Sequence, residues 1–539
     1  MLKNVLGVYL DKMTERQLDL PLLLLLPAMG YFDVHFTHGA EEHGKDFIAK
    51  KRDNDEVIQY AIQSKIKDIN LTAWRDVRPQ VIEAMTNGLS HPNFDRALPR
   101  RVVLITTGDL VGGAKTSVQD FNRDFVQSIH QSPLLFWGKQ NLIEMFEEYG
   151  IASTHRVTAG GFAEYGRFFL VYANAMQGNL SGREIEEYSR RWTDTTLDRE
   201  SRLLVCALES EIVAQQCIEQ GFYYEAIVAH LARLRTLCTL AYSDDASDVS
   251  YGAGLYTESA TRLHDLCAAY LTEIQTQWRQ QGDLLTMIVM PPRSGRYAVP
   301  PMATYPAQCA RIMEVAALVY FTASDDRERE ETASFLEEFI LGEPGCHHPL
   351  SNRYAVTIVL ACLILLGRNR RETVRDLLKQ VTLWVCDRYE QGMGLAQFDA
   401  TEEGETTTLL GYAFASVAVS ERRASFLAAA LCDLAAFLGD GALYGDIVNE
   451  IKASEVYPEY WQATDTVGVC SIESADITQY PHVPFEDSLT DFHQYQHAPH
   501  FSDEPETFRV AELFSKSTLV VLMVLLRDRY FPKAWAKII

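Results

Sequence analysis

No run of roughly 20 apolar residues occurs, the length a helix needs to cross a bilayer. The stretch 20–26 is closed by Pro27, and 519–526 is closed by Arg527-Asp528-Arg529. Asp11, Glu15 and Asp19 interrupt any apolar region near the first residues, so no secretory leader is expected. Cysteine is absent before Cys206, and the ten that follow form no C-x-x-C pair. That argues against a disulfide framework or a zinc site and predicts free thiols in the cytoplasm. No clean repeat period of roughly 34 or 40 residues emerges, so a named helical repeat is not supported. Basic excess is also missing: the net charge is −24.

The charge is uneven. Residues 1–150 hold 17 basic and 20 acidic side chains, whereas the remainder holds 32 and 53. The front is nearly neutral and can carry a local basic face. The acidic rear is a poor binder of nucleic acid, since phosphate contact wants Lys and Arg. Its expected partners are proteins, including copies of itself.

A length of 539 residues is too great for one core. The front predicts a mixed α/β layer: a helix over 14–29 that ends at Pro27 and Gly30, then strands over 31–36, 47–49 and 57–66. Lys50, Lys51 and Arg52 open a solvated turn between the last two. A helix over 77–88, strands over 101–108 and 133–138 and helices over 114–129 and 141–149 complete it. After about residue 155 amphipathic segments follow one another: 200–219, 223–242, 257–280, 305–321, 327–341, 354–366, 372–389, 406–420, 423–438 and 516–529. Residues 471–507, rich in Pro, His, Asp and Gln, read as an irregular connection. The expectation is therefore an α+β multidomain chain. Its parts are an α/β domain over 1–152, an all-α bundle or solenoid-like region over 153–470, and a connection with a final helix over 471–539.

The chemistry concentrates in residues 43–65. Asp46 enters a short apolar strand. Gln63 and Lys65 stand two apart on the next strand, so their side chains share a face, roughly 7 Å from one another. If the two strands pair as a hairpin, Asp46 reaches the same patch. A carboxylate, an amide oxygen and an ammonium converging there suit a divalent cation plus a phosphate.

This front segment resembles the restriction-endonuclease-like, or PD-(D/E)xK, superfamily. It is most similar to the Mrr-type branch, whose last motif is Q-x-K. The matching residues are Gly44-Lys45-Asp46-Phe47-Ile48-Ala49, Ile62-Gln63-Ser64-Lys65, the strand 102–108 with Ala114 beyond it, and Leu135-Phe136-Trp137 before Leu142-Ile143. The resemblance spans roughly residues 10–150. It implies a metal-dependent phosphodiesterase in which Asp46 binds Mg²⁺ (or Mn²⁺), Gln63 adds a neutral carbonyl oxygen, and Lys65 sits by the scissile phosphate. Mg²⁺ is hard, prefers oxygen and keeps several waters, which fits such donors. The family also carries an acid on its first helix. Asp19 and Glu15 are the candidates, Asp19 being nearer the usual distance. Of Glu41 and Glu42, Glu42 is the choice for a second carboxylate. Gln63 in place of the commoner Glu removes one negative charge, so a degenerate, inactive domain is an alternative.

Other clusters have plainer readings. Cys346-His347-His348 beside Pro349 reads as a polar loop. His493, His497 and His500, with Asp491 and Asp503, are loop histidines in the irregular segment. Val111-Gly112-Gly113-Ala114-Lys115 lacks the phosphate-loop spacing and reads as a glycine turn, though its backbone N–H groups and Lys115 can meet phosphate. Lys50, Lys51 and Arg52, with Arg96, Arg100 and Arg101, are candidates to line a nucleic-acid path. The expected function is a Mg²⁺-dependent nuclease, cutting double-stranded DNA as the effector of a bacterial anti-phage system. It is expected to be regulated through its helical region and to act as a homo-oligomer or with a partner subunit, with no membrane association. The alternatives are a non-catalytic assembly scaffold and an RNase.

Overall fold

The structure is a computed structural model. It describes residues 2–37, 45–54, 56–88, 91–151, 161–193, 198–243, 249–282, 284, 301–396, 405, 408, 423–458, 460–463, 477–480, 515–526 and 535–539. Two compact units emerge, 1–173 with 191–213 and 174–190 with 214–539.

The first unit is built on a five-stranded mixed sheet. Its strands are β1 (Phe32–Phe36), β2 (Phe47–Asp53), β3 (Glu56–Lys65), β4 (Arg100–Thr106) and β5 (Leu135–Trp137), paired in chain order. β1, β2 and β3 are antiparallel neighbours, while β3, β4 and β5 run parallel. The helices are α1 (Leu2–Lys12), α2 (Glu15–Ala28), α3 (Leu71–Thr86), α4 (Ala114–Asp120) and α5 (Lys139–Met145). α4 widens into a π-helical turn over Phe121–Val126. Trp74, Val77 and Val81 of α3 and Val118 of α4 pack on Ala61, Val102 and Leu104 of β3 and β4. Each such side chain contributes about 1.5–3 kcal/mol by leaving water. Asn70 caps α3, its Oδ1 accepting the Ala73 N–H at 3.0 Å.

Two features differ from the sequence expectation. α1 was not expected. Lys50, Lys51 and Arg52 lie on β2, which runs to Asp53, and not in a turn. Their charges are accommodated because Lys50 Nζ pairs with Asp33 at 2.8 Å and Lys51 Nζ lies 4.6 Å from the Tyr31 ring centre. α2 keeps the expected bounds to within a residue, with Pro21 and Pro27 both inside it.

The second unit is helical. The helices Tyr223–Ser243, Val249–Gln281 and Pro301–Thr322 pack in succession, and Asp326–Gly342 and Tyr354–Gly367 pack on the third. Arg371–Glu390, Phe426–Leu438 and Gly441–Ala453 follow, and Lys516–Leu526 returns against Tyr223–Ser243 and Pro301–Thr322. Tyr354–Gly367 is apolar all round, and Tyr354–Leu365 is buried throughout, as a central core helix must be. Strands are few here: Ala424–Ser425 pairs with Tyr457–Pro458, and Tyr460–Ala463 with Ile477–Tyr480. The strand Ile477–Tyr480 falls inside the stretch read from sequence as irregular. Most of the helix expected over 406–420 lies outside the described residues. Among the described residues no helix is long and apolar enough to cross a membrane.

Candidate active site

β2 and β3 pair as an antiparallel hairpin with Phe47 opposite Ile62 and Ile48 opposite Ala61. Asp46 immediately precedes β2, beside the Ile62–Ser64 stretch of β3. Its backbone is fixed on both sides: the Asp46 N–H donates to the Ile62 carbonyl at 2.8 Å, and its own carbonyl accepts from the Thr37 N–H at 2.8 Å. The regular strand stops at this point, and the Asp46 side chain takes over as acceptor. Its Oδ2 receives the Ser64 N–H at 2.6 Å, the Ser64 hydroxyl at 2.9 Å and Gln63 Nε2 at 2.8 Å.

Three donors on one oxygen fix the carboxylate plane. Burial raises the Asp46 pKa above the ordinary carboxylate value. The Ser64 hydrogen bonds and the Lys65 charge oppose that rise, and Glu15 adds to it. Gln63 is buried. Its amide nitrogen is committed to Asp46, and its Oε1 is buried with no hydrogen-bond partner among the described residues. A buried carbonyl oxygen left without a donor costs about 1–3 kcal/mol, so it calls for an explanation.

Lys65 ends β3 on the same face as Gln63. Its Nζ donates to Glu15 Oε1 at 3.0 Å. Glu15 reaches it from the first turn of α2, whose start is set by the Thr14 N–H donating to Gln17 Oε1 at 2.7 Å. Of the two candidate acids on this helix, the bond to Lys65 comes from Glu15. Asp19 lies one turn further along, half-buried. Glu41 and Glu42 lie outside the described residues.

The donor set is oxygen-only: an Asp46 oxygen not used by Ser64 or Gln63, the orphaned Gln63 Oε1, and the nearby Glu15 carboxylate. That set fits a hard divalent cation such as Mg²⁺. It holds two acids and one amide, in keeping with the lack, among the described residues, of any group of three His, Cys, Asp or Glu side chains able to hold a metal.

The other candidates are dispersed. Lys115 is exposed on the first turn of α4. Arg100 donates to the carbonyls of Ala84, Met85 and Asn87 and so closes the end of α3. Arg101 pairs with Asp53 at 3.3 Å. Cys346 is buried, and the His348 ring lies 4.3 Å from that of Trp384. Burial pushes both His347 and His348 below the ordinary imidazole value. His493, His497 and His500, with Asp491 and Asp503, lie outside the described residues. The nine cysteines among the described residues are free and buried.

Ser64 was missed as a site residue. Alternation along β3 sends it away from Gln63 and Lys65, and only the early end of β2 brings Asp46 within reach of it.

A family model for the Mrr catalytic domain, described as restriction endonuclease, matches residues 10–146. No curated protein and no solved structure matches the chain.

Proposed function

We propose that this chain, whose first domain belongs to the Mrr-type restriction-endonuclease-like family, is a metal-dependent nuclease that hydrolyses the phosphodiester backbone of double-stranded DNA. The observation that carries the metal is the buried Gln63 Oε1, without a partner among the described residues, beside a carboxylate held by Ser64. Asp46 and Gln63 would hold the ion, with Glu15 at the margin. When bound, Mg²⁺ or Mn²⁺ supplies a water of lowered pKa and offsets charge on the leaving oxygen.

The chain's own residues do the rest. Gln63 Nε2 and both Ser64 donors keep Asp46 aligned. Lys65 is a compact cation suited to the non-bridging oxygens of the scissile phosphate. Its present partner, Glu15, is half-exposed, so phosphate entering the site competes with a carboxylate that water already screens.

We read the helical region as regulatory. Its acidic excess disfavours nucleic acid and favours protein contacts, which supports assembly of copies of this chain or docking of a partner subunit. A nuclease domain ahead of a large helical region has the architecture of a defence effector. That reading is by architectural analogy and supports a role against foreign DNA.

The test is cleavage of plasmid DNA and of RNA by the full chain with Mg²⁺, Mn²⁺ or EDTA, repeated with Asp46→Ala and Lys65→Ala. Metal-dependent cutting of DNA that both substitutions abolish supports the proposal. Cutting of RNA alone changes the substrate. Binding without cutting in every metal supports the non-catalytic scaffold.

A further inference from the structure

The parallel strands β3 and β4 run out at one edge of the sheet, with Lys65 opposite Thr106. Two residues past Lys65, Lys67 has φ +64°, a left-handed conformation that a lysine rarely adopts and that Gly or Asn fills more readily. The neighbouring strand end holds it there. The Lys67 N–H donates to Thr107 Oγ1 at 3.0 Å, and its carbonyl accepts the Thr106 hydroxyl. The approach is close enough that a Cβ on Gly108 would fall 2.4 Å from the Lys67 carbonyl carbon and from the Asp68 nitrogen. Asp68 is exposed but tethered, its Oδ1 accepting the Asp109 N–H at 2.9 Å.

The side chain that this clamp presents is exposed, and among the described residues its ammonium has no ion pair. Several other basic side chains of the domain are paired. Lys50 is paired with Asp33, Lys65 with Glu15, Lys139 with Asp11 and Arg101 with Asp53. A left-handed residue over-determined by its surroundings, beside a candidate active site, is backbone strain retained for a purpose. Structure alone gives no reason for lysine, since glycine would satisfy the turn at lower strain.

We propose that Lys67 is a binding residue for the phosphodiester backbone of DNA, contacting a phosphate next to the one at Lys65 and so seating the strand in the site. This rests on the nuclease reading above. One residue separates Lys65 from Lys67, so their Cα atoms stand at most roughly 7 Å apart and the two flexible side chains can reach neighbouring phosphates of one strand. Lys67 makes no contact with the metal donors and is a positioning group for substrate.

The test measures binding of the full chain to a fluorescein-labelled DNA duplex of about 30 base pairs, in EDTA to prevent cleavage, by fluorescence anisotropy across roughly 50–200 mM salt. Lys67→Gly is expected to weaken binding about 3- to 10-fold and to lower the slope of log K against log salt by about one, without lowering the melting temperature. Lys67→Arg keeps the charge and is expected to keep both affinity and slope. Wild-type affinity and slope in Lys67→Gly overturn this proposal alone. So does weaker binding with an unchanged slope and a lower melting temperature, which marks a structural lysine. A wild-type chain that binds no DNA under any salt condition overturns the nuclease reading and this proposal with it.

Discussion

Gln63 donates its amide nitrogen to Asp46 at 2.8 Å and thereby turns its own carbonyl oxygen into a buried position without a partner among the described residues. The amide orientation is dictated by the carboxylate, since an amide oxygen facing Oδ2 would be repelled. A glutamate at 63 loses that donor and sets two carboxylates against each other. Gln63→Glu is therefore expected to destabilise the metal-free chain by about 1–3 kcal/mol at neutral pH. It is also expected to bind Mg²⁺ more tightly, because the cation relieves the repulsion. Melting temperatures in EDTA and in excess Mg²⁺ check this. A larger gain on adding Mg²⁺ than the wild type shows is the expected result, and an equal gain in both rules out Gln63 as a ligand.

Ser64 acts on Asp46 through both its N–H and its hydroxyl, and these bonds lower a pKa that burial has raised. Metal binding needs the carboxylate ionised, so cleavage should fail on the acid side at a higher pH than an ordinary carboxylate would dictate. Ser64→Ala removes the 2.9 Å hydroxyl bond and should move that acid limb further up. It should also cost about 10- to 100-fold in metal affinity or activity. The sign for stability is opposite. With the folded pKa above the unfolded one, the folded chain binds more protons across that window. Stability from this group is therefore greatest below the window and falls as pH rises through it. A pH–rate profile paired with pH-dependent melting measures both.

The hairpin site was legible because strand alternation is rigid: Gln63 and Lys65 had to share a face once β3 formed. Asp46 followed from the hairpin register. The length of β2 was not legible, since Lys50-Lys51-Arg52 has the composition of a turn. Only the tertiary partners Asp33 and Tyr31 make it a strand. α1 was readable after all, as Val5, Leu6, Tyr9, Leu10 and Met13 are buried at helical spacing. The Lys67 turn was not, because a left-handed lysine contradicts every residue preference, and two threonines from another strand impose it. In the second unit, helices such as Tyr354–Gly367 were plain from continuous apolar sequence, whereas the strand Ile477–Tyr480 was hidden in a stretch of turn-forming composition.

Spacing favoured Asp19 over Glu15, whereas the bond to Lys65 comes from Glu15. The Glu15–Lys65 pair is partly exposed, so Glu15→Gln is expected to change stability by no more than about 0.5 kcal/mol. Its effect should appear in cleavage, as a loss of about 10-fold or more at limiting Mg²⁺ if the carboxylate attends the cation. Asp19→Asn is expected to cost less. Cleavage rates across an Mg²⁺ titration compare the two, and a greater loss in Asp19→Asn reverses the choice made here.

Glu343 offers a test of the helical unit that is independent of the nuclease site. It is almost fully buried, and its two oxygens gather donors from separate elements: Trp278 Nε1 at 2.5 Å and the Leu284 N–H at 2.8 Å on Oε1, and the Tyr305 hydroxyl at 2.6 Å on Oε2. Tyr305 in turn accepts the Gly345 N–H at 3.2 Å, which ties the helix Pro301–Thr322 to the short turn after Asp326–Gly342. Burial, and the bond to Glu343, push the Tyr305 hydroxyl far above its ordinary pKa, so it remains a donor at any working pH. Glu343→Ala strands one buried donor, Leu284, and two half-buried ones, Trp278 and Tyr305, and is expected to cost about 3–5 kcal/mol. Glu343→Gln keeps the acceptor for Trp278 and Leu284 and should cost about 1–2 kcal/mol, because the tyrosine hydroxyl can rotate to accept from the new amide. Calorimetry of the full chain measures this, since two units need not unfold as one. A lower transition in Glu343→Ala with DNA cleavage unchanged at a temperature below it is the expected outcome. A melting profile identical to the wild type's would show that these three donors find water instead.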